Sequence, residues 1–266
     1  MVAAFLGYTF QNSLTMKFIP QLLASIICAT AVSAASAAAV TVTFDNPIFS
    51  GFTGTASDAV QIKAKSGVVT KTWNVSAGRF QGTGSNVVGV PETIFVDGLS
   101  DLYAYCYDIY ESIQGGQTVN YTINFDGVFA RTLDFLGAVN SVLSAGGSYD
   151  PYAWLHPTNG LMGAAIQLGI WESKYDTNAT WSLAAGNFQA TGLESATQGY
   201  FNQFIAAMPS TNALESKYVM VLEAPGAQDM IVGDPPVEVP EPSTLLLAGG
   251  ALLAMVASQR RRARKV

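Results

Sequence analysis

A cysteine and a glutamine are the residues of this chain best suited to chemistry. Cys106 lies in an aromatic segment, residues 102–110, and Gln167 lies in an apolar segment, residues 164–172. The thiolate of a cysteine can attack the side-chain carbonyl of a glutamine, and ammonia then leaves. The product is an acyl thioester, which an amine of another molecule can attack to form an amide. No separate catalytic base is evident in the sequence, and neither His156 nor Asp108 is expected to serve as one.

Both residues also have ordinary structural interpretations. A free cysteine is often a small buried hydrophobe, and a glutamine among apolar residues can hydrogen-bond across a contact between a helix and a sheet. The other cysteine, Cys28, falls in a segment expected to be removed, which leaves Cys106 alone in the exported chain. Because exported proteins usually pair their thiols, an odd cysteine also suggests an intermolecular disulfide or a free thiol. The residue types alone leave these interpretations open.

The elements that carry the two residues are predicted to be a strand and a helix. On a strand, Cys106 shares a face with Ala104, because alternate residues point to the same side. On a helix, Gln167 shares a side with Ile170. A thioester requires that this strand and this helix pack against each other with water excluded.

The chain between residues 38 and 234 is predicted to be one α+β domain, a β-rich sandwich or barrel with an inserted helical group. Alternation of apolar and polar residues with period two predicts the strands. They cover residues 40–44, 59–65, 69–75, 92–96, 102–109, 118–125 and 217–222. Apolar residues at helical spacing predict helices over residues 133–145, 160–174 and 193–208. Thr191 and Glu194 fit a capping box for the third helix, and residues 114–117 fit a hairpin turn between the strands that flank them.

Composition restricts the class of protein. Charged residues make up 12% of the chain and apolar residues 49%, with 13 Lys and Arg against 19 Asp and Glu. This balance excludes a disordered acidic chain and a polybasic nucleic-acid binder, so no nucleic-acid partner is expected. One histidine and two cysteines are too few for a zinc site, and the acidic stretches at residues 97–101 and 229–234 lack the spacing of an EF-hand loop. We therefore expect no metal, no cofactor and no enzymatic activity.

Aromatic residues offer a second kind of site. Tyr103, Tyr105 and Tyr107 alternate along the predicted strand and would lie side by side on the face opposite Cys106. The tryptophans that could join them are Trp73, Trp154, Trp171 and Trp181. Such rings can stack on sugars, although an aromatic stripe is more often core or sheet cover. A module that binds exopolysaccharide without a thioester is therefore the alternative to a covalent tether, and a secreted hydrolase with an unrecognised site is less favoured.

Residues 1–37 have the pattern of a secretory signal peptide. Lys17 begins a short charged region, residues 18–32 form an apolar run, and small residues follow directly. Cleavage is expected after Ala34 or Ala37. Residues 1–15 carry no charge and precede the charged region, so Met16 is the expected start. The body is therefore expected to be exported.

Residues 235–266 contain a linker followed by three pieces in order. Pro240, Glu241 and Pro242 come first, and residues 243–259 follow without any charge. That length is close to the roughly 17–25 residues of a transmembrane helix, so we expect this segment to span the membrane. The third piece is a basic cluster that should remain cytoplasmic, which leaves the body facing outward. The cluster comprises Arg260, Arg261, Arg262, Arg264 and Lys265.

These three pieces resemble the PEP-CTERM sorting tail of Gram-negative bacteria that make exopolysaccharide. The resemblance implies that exosortase, a membrane-embedded cysteine protease, recognises Pro240, Glu241 and Pro242 and processes the tail. It also implies a precursor anchored in the inner membrane that later reaches the cell surface or the extracellular matrix. The two prolines interrupt any helix and hold the segment extended, which keeps it open to a protease. The tail gives a location and says nothing about what the body does.

The body resembles the thioester domains of Gram-positive surface adhesins, over roughly residues 95–225. In that family a cysteine in an aromatic segment pairs with a glutamine in a Thr-Gln-x-Ala motif, which an apolar residue and a tryptophan follow. The matching residues here are Cys106, Gln167, Ile170 and Trp171. Two positions depart from the motif, because Ile166 replaces the threonine and Gly169 replaces the alanine. The resemblance implies an adhesive or structural surface protein whose Cys106–Gln167 thioester attaches covalently to amine-bearing targets.

Overall fold

The computed structural model describes residues 37–66, 69–177 and 180–235. The expected signal peptide through residue 36 lies outside the described residues, as do the sorting motif, the apolar span and the basic cluster. The fold is therefore that of the body alone. No helix in the described ranges is both long enough and apolar enough to cross a membrane.

Nine strands and three α-helices make up the described part of the body. The strands are β1 (Ala39–Phe44), β2 (Asp58–Ser66), β3 (Val69–Ala77), β4 (Phe80–Val88), β5 (Leu102–Cys106), β6 (Thr118–Asn124), β7 (Phe188–Thr191), β8 (Val219–Glu223) and β9 (Met230–Gly233). The helices are α1 (Ala130–Leu143), α2 (Gly160–Tyr175) and α3 (Ser195–Ala207). This content confirms the prediction of a β-rich α+β domain, and all three predicted helices are present.

Six of the strands close into an antiparallel barrel in the order β1-β4-β5-β9-β8-β6. Alternate residues of β1 are buried, namely Val40, Val42 and Phe44, each at most 2% exposed. The helices α1, α2 and α3 all lie between β6 and β8 in the chain. The architecture is therefore a barrel, rather than a sandwich, with the helical group inserted before the strands that close it.

The other three strands form a smaller sheet in the order β3-β2-β7. Strands β2 and β3 form a hairpin inserted between β1 and β4, whereas β7 belongs to the helical insertion between α2 and α3. The central strand β2 buries Val60, Ile62 and Ala64, while the residues between them are exposed. Two separate insertions into the barrel thus meet and pair in one sheet.

Helix α2 is buried on nearly all sides. Thirteen of its 16 residues are buried, and it contacts α1, α3 and the strands of the smaller sheet. It begins after Asn159, whose side chain accepts a hydrogen bond from the N–H of Met162 at 2.9 Å. Small residues allow its neighbours to approach closely. A Cβ atom on Gly169 would overlap the ring of Phe135 on α1.

Three predictions of local structure are wrong. Residues 92–96 are not a strand, because Glu92–Ile94 forms a single 3-10 turn after Pro91. The capping box is also wrong: Thr191 ends β7, and the N–H of Glu194 donates to Asp58 at 2.9 Å instead. Residues 114–117 do form a turn, with the N–H of Gln117 donating to the carbonyl of Gln114 at 3.1 Å. The strands on either side of it, β5 and β6, do not pair, so it is not a hairpin.

Strands β4, β7 and β9 escaped prediction because tertiary contacts determine their sequences. In β4, a Cβ on Gly82 would lie 2.7 Å from the carbonyl oxygen of Thr43, and one on Gly84 would lie 2.7 Å from Leu99. These glycines interrupt the apolar pattern that marks a strand. All four residues of β9 are buried, so the strand shows no alternation, and it lies inside the stretch read as an acidic loop.

We expect the variant Gly169→Ala to lower the free energy of unfolding by about 1–3 kcal/mol, because the added methyl group overpacks a filled core. Chemical denaturation would measure the change. The matched control is Gly199→Ala on α3, where no atom lies within 4 Å of the new Cβ; it should gain up to about 1 kcal/mol from helix propensity. The double variant Gly169→Ala/Phe135→Leu should lose less free energy of unfolding than the two single variants lose together. A stable Gly169→Ala protein would contradict the close packing of α1 on α2.

Candidate functional site

The structure brings Cys106 and Gln167 into direct contact. The main-chain N–H of Cys106 donates to Oε1 of Gln167 at 2.8 Å, and Nε2 of Gln167 donates to the main-chain carbonyl of Cys106 at 2.8 Å. Cys106 is 2% exposed and Gln167 is fully buried. Both polar groups of the glutamine amide are therefore satisfied without water, by a residue 61 positions away in the chain.

The pairing of the barrel strands explains why a side chain is needed to hydrogen-bond the main chain of Cys106. Strand β4 begins at Phe80, which pairs with Ala104, so β4 does not extend far enough to pair with Cys106. On the other side of β5, Cys106 lies opposite Met230 of β9. Because alternate residues of a strand direct their main-chain groups to opposite neighbours, those of Cys106 face the missing end of β4. The amide of Gln167 takes the place of the absent peptide group.

The environment of the Cys106 thiol favours its neutral form. Burial raises the pKa of the thiol well above its ordinary value, and the Asp108 carboxylate raises it further. Exposed reactive cysteines have a lowered pKa, so the shift of this buried thiol runs in the opposite direction. On the electrophile side, the N–H of Cys106 donates to the carbonyl oxygen of Gln167, where negative charge would develop if sulfur attacked the carbon.

The other motif residues lie on the same helix and are buried. Ile170 is fully buried and Trp171 is 2% exposed. Ile166, which stands where the related motif has threonine, is fully buried as well. Gly169, which stands where the motif has alanine, accommodates the ring of Phe135. Both departures from the motif therefore have a packing explanation in this chain.

An open cleft, hereafter the Cys106 cleft, leads to the cysteine. Its volume is about 690 Å³. Cys106, Trp171 and Gln228 line it together with residues of β3 and of the segment after β5. The aromatic, polar and charged side chains that determine what the cleft can bind include Trp73, Asn74, Ser76, Tyr110, Glu111 and Ser112. Of these, only Trp73 stands out in the sequence, since polar residues on a strand or in a loop carry no signal of a shared cleft.

Three carboxylates lie beside the Cys106 cleft. Oxygen atoms of Asp108, Glu111 and Asp229 all lie within 4.8 Å of one another. Each carboxylate accepts main-chain N–H groups; Asp108, for example, accepts from Tyr110 at 3.0 Å and from Asp229 at 2.6 Å. Burial raises the pKa of Asp229. Asp108 therefore orders the loops around the cleft, although the sequence placed it on the strand beside Cys106.

His156 belongs to a different part of the surface. Its Nε2 lies 2.9 Å from Oδ1 of Asp97, and this hydrogen bond raises the pKa of the imidazole. Its ring also packs edge-on against Tyr103, with 5.7 Å between the centroids. His156 does not line the Cys106 cleft. The imidazole therefore pairs with Asp97 and lies away from the cleft that Cys106 lines.

The tyrosines of β5 and the segment after it do not form an open sugar-binding face. Tyr105 is fully buried and Tyr107 is 2% exposed, because the helical group covers this side of the barrel. The guanidinium of Arg79 lies over the ring of Tyr103 at 3.7 Å. Trp154 is fully buried too. The proposed aromatic stripe is therefore wrong as a binding surface, and these rings belong to the core.

A buried carboxyl lies next to Trp171 on α2. Glu172 is fully buried; its Oε1 accepts the N–H of Ser182 at 3.1 Å and lies 3.7 Å from Nη2 of Arg131. Burial raises the pKa of Glu172 to about 7, and the charge of Asp176 adds to this, whereas the Ser182 bond and Arg131 oppose it. The stability of the helix that carries Gln167 is therefore linked to pH.

Comparison with known proteins identifies one region of the chain. The PEP-CTERM protein-sorting motif matches residues 238–262, which include Pro240, Glu241, Pro242, the apolar span and the first three arginines of the basic cluster. No curated protein and no solved structure matches the chain. The motif makes the chain an exosortase substrate, with a membrane-anchored precursor that is sorted to the cell surface or the extracellular space.

We expect the variant Gln167→Ala, made in a Cys106→Ala background, to lower the free energy of unfolding by about 2–5 kcal/mol. The main-chain N–H and carbonyl of residue 106 would then be buried without partners. The background variant removes any effect of a covalent bond. The control is Gln198→Ala on α3, whose side-chain Nε2 donates to Asn202 at an exposed site; it should change stability by less than about 0.5 kcal/mol. Equal effects at both glutamines would contradict the structural role of Gln167.

The raised pKa of Glu172 predicts how stability depends on pH. The folded state holds a proton more tightly than the unfolded state, so the free energy of unfolding should fall as pH rises from about 4.5 to about 7. The variant Glu172→Gln should flatten this fall. What remains comes from the other groups whose pKa is raised, namely Asp234, at about 6, Asp229 and His156. Denaturation midpoints measured across this range would test it. The matched control for the loss of a carboxylate is Glu215→Gln, at an exposed site.

Proposed function

We propose that the body of this sorted protein is an adhesive or structural surface domain in which Cys106 and Gln167 form an internal thioester. The observation that carries the proposal is the contact between the two residues, with both hydrogen bonds of the glutamine amide made to Cys106 at 2.8 Å. A thioester would let the domain attach covalently to amine-bearing targets once it reaches the surface. The proposal includes a Gram-negative host, in which the inner membrane holds the precursor until exosortase processes it.

Formation of the bond needs no additional reactant. Sulfur of Cys106 attacks Cδ of Gln167, the bond between Cδ and Nε2 breaks, and the thiol proton leaves with nitrogen as ammonia. The hydrogen bond from the Cys106 N–H to Oε1 can stabilise the negative charge that develops on that oxygen. The hydrogen bond from Nε2 to the Cys106 carbonyl is lost with the ammonia. Because the proton leaves on the product, a thiol with a raised pKa is compatible with this step.

The surroundings suit a thioester that must persist until it meets a target. Burial of both residues limits the access of water that would hydrolyse the bond. The Cys106 cleft gives a target amine a route to the site, since Cys106 lies in its lining. Each domain would react once and remain bonded to its target, so the protein would act as a tether and would not turn over as an enzyme.

Intact mass spectrometry of the full-length chain, expressed in a host that exports it and extracted in detergent, tests the proposal. The wild type should be lighter than its calculated mass by one ammonia, whereas Cys106→Ala should have its full mass. Methylamine should restore mass to the wild type as an adduct and release one thiol. The result that overturns the proposal is full mass for both proteins, with a thiol that iodoacetamide alkylates after denaturation.

Thiol titration separates the thioester from a second product of equal mass. If an amine of the same chain had already attacked, the mass deficit would remain but the thiol of Cys106 would be free. We expect the denatured wild type, before amine treatment, to have no thiol that iodoacetamide can reach. A mass deficit together with a free thiol would show that the thioester forms and is consumed within the chain, which would contradict a tether to outside targets.

A further inference from the structure

The Cys106 cleft is broader and more polar than access for a simple amine requires. Its volume of about 690 Å³ falls in the range of small-molecule sites, and its walls carry both aromatic rings and hydrogen-bonding groups. A lysine side chain is a slender run of methylene groups and would leave most of these walls unused. We propose that the cleft binds an amino sugar of a polysaccharide, whose free amine is the nucleophile for the thioester. The covalent step rests on the proposed function, whereas the binding step rests on the cleft alone.

Two aromatic rings at the rim provide a surface for a sugar ring. Trp73 and Tyr110 pack edge to face, with 5.8 Å between their centroids, and Tyr110 is 42% exposed. Large aromatic side chains are usually buried, so a partly exposed pair beside a cleft favours a role in binding. Sugar rings present faces of C–H groups, which pack well on the negative face of an aromatic ring. Trp73 also belongs to β3, a mostly exposed strand at the edge of the smaller sheet, so a long polymer could lie across the rim.

The walls of the cleft provide hydrogen-bonding groups suited to hydroxyls. Asn74, Ser76, Ser112 and Gln228 line it, and their amide and hydroxyl groups can both donate and accept. Trp171 lies in the lining next to Cys106, and its Nε1–H has no hydrogen-bond partner among the described residues. Because a buried donor without a partner is costly, a ligand oxygen that reached this N–H would relieve that cost. A polyhydroxylated ring matches this set better than an alkyl amine does.

The charge near the cleft favours a cation. Glu111 lines the cleft, and its carboxylate lies within 4.8 Å of those of Asp108 and Asp229. Among the described residues, two cations oppose them: Lys71 at the mouth, whose Nζ lies 6.0 Å from the centre of the Tyr110 ring, and Lys174, whose charge interacts with Asp108 and Asp229. An amino sugar carries an ammonium group that these carboxylates would attract, whereas its acetylated form carries neither the charge nor the nucleophile. Charge therefore selects the deacetylated sugar.

The covalent step transfers the acyl group of Gln167 from sulfur to nitrogen. The lone pair of the neutral amine attacks the thioester carbonyl, the bond between carbon and sulfur breaks, and sulfur takes the proton that nitrogen loses. The products are an amide that joins Gln167 to the sugar and the free thiol of Cys106. Atoms balance without an oxidant or any further reactant.

Binding is tested first with the full-length Cys106→Ala chain in detergent, which cannot form a thioester. The probes are an oligomer of glucosamine, the matching oligomer of N-acetylglucosamine, and a trilysine peptide. Isothermal titration should give the tightest binding for the glucosamine oligomer. Trp73→Ala and Glu111→Gln should each weaken it by at least about tenfold. The control Thr72→Ala, on the same strand as Trp73 but outside the lining, should leave it unchanged.

The covalent step is tested with the wild-type chain and the same probes. Mass spectrometry should find an adduct of the glucosamine oligomer at Gln167 and none of the acetylated oligomer. Trilysine should form its adduct at least about tenfold more slowly at equal amine concentration. Trp73→Ala should slow the sugar adduct while leaving the rate with methylamine unchanged, because methylamine does not use the rim.

The outcomes separate this inference from the proposed function. If the ammonia deficit is present but trilysine binds and reacts as well as the sugar, the thioester stands and the amino-sugar inference fails. If no deficit is found but Cys106→Ala binds the glucosamine oligomer and Trp73→Ala abolishes that binding, the thioester fails and amino-sugar recognition stands. Equal binding of all probes, or no binding, overturns the inference in either case.

Discussion

The pairing of the Gln167 side chain with the main chain of Cys106 is the interaction on which the rest of the body depends. A barrel strand that extends beyond the end of its neighbour would leave a buried main-chain N–H and a buried carbonyl unpaired. The glutamine supplies both partners from a helix, and so it locks the inserted helical group to the barrel at one defined register. The long side chain of the glutamine spans the distance from α2 to β5. The glycines of α2 admit other neighbours: Gly169 lies under the ring of Phe135 on α1, and Gly160 lies against the main chain of Thr55 and Ala56.

The same contact joins stability to reactivity. The amide that completes the strand is also the group that the thiol would acylate, so loss of ammonia exchanges one hydrogen bond for a covalent bond between residues 61 positions apart. By the chain-entropy description of cross-links, closing a loop of that length is worth roughly 4 kcal/mol. A domain with a thioester would therefore be stabilised until an amine arrives. Afterwards the hydrogen bond from the Cys106 N–H can still hold the carbonyl of Gln167 in place.

Much of the fold could be predicted from sequence because the strands with one exposed face alternate cleanly. Strands β1, β2 and β6 show this pattern, and the inserted helices show apolar residues at helical spacing. Strands β4 and β9 could not be predicted, since the glycines of one and the uniform burial of the other depend on partners far away in the chain. The Cys106–Gln167 pair could be identified from residue types and their order in the chain. The Cys106 cleft was not, because Asn74, Glu111 and Gln228 come together only when the loops around Asp108 fold.

The strand from which the chain leaves toward its membrane tail has a mechanical consequence. That strand is β9, and it is hydrogen-bonded on both sides, to β5 and to β8. While the precursor is anchored through its tail, any force between the body and the membrane enters the body through this strand. Because β9 is interior to a closed barrel, the pull loads main-chain hydrogen bonds on both flanks at once, in shear along the strand, and cannot peel them singly from an edge. The residue of β5 opposite the first residue of β9 is Cys106, so the loaded strand lies directly beside the contact that joins barrel and helices.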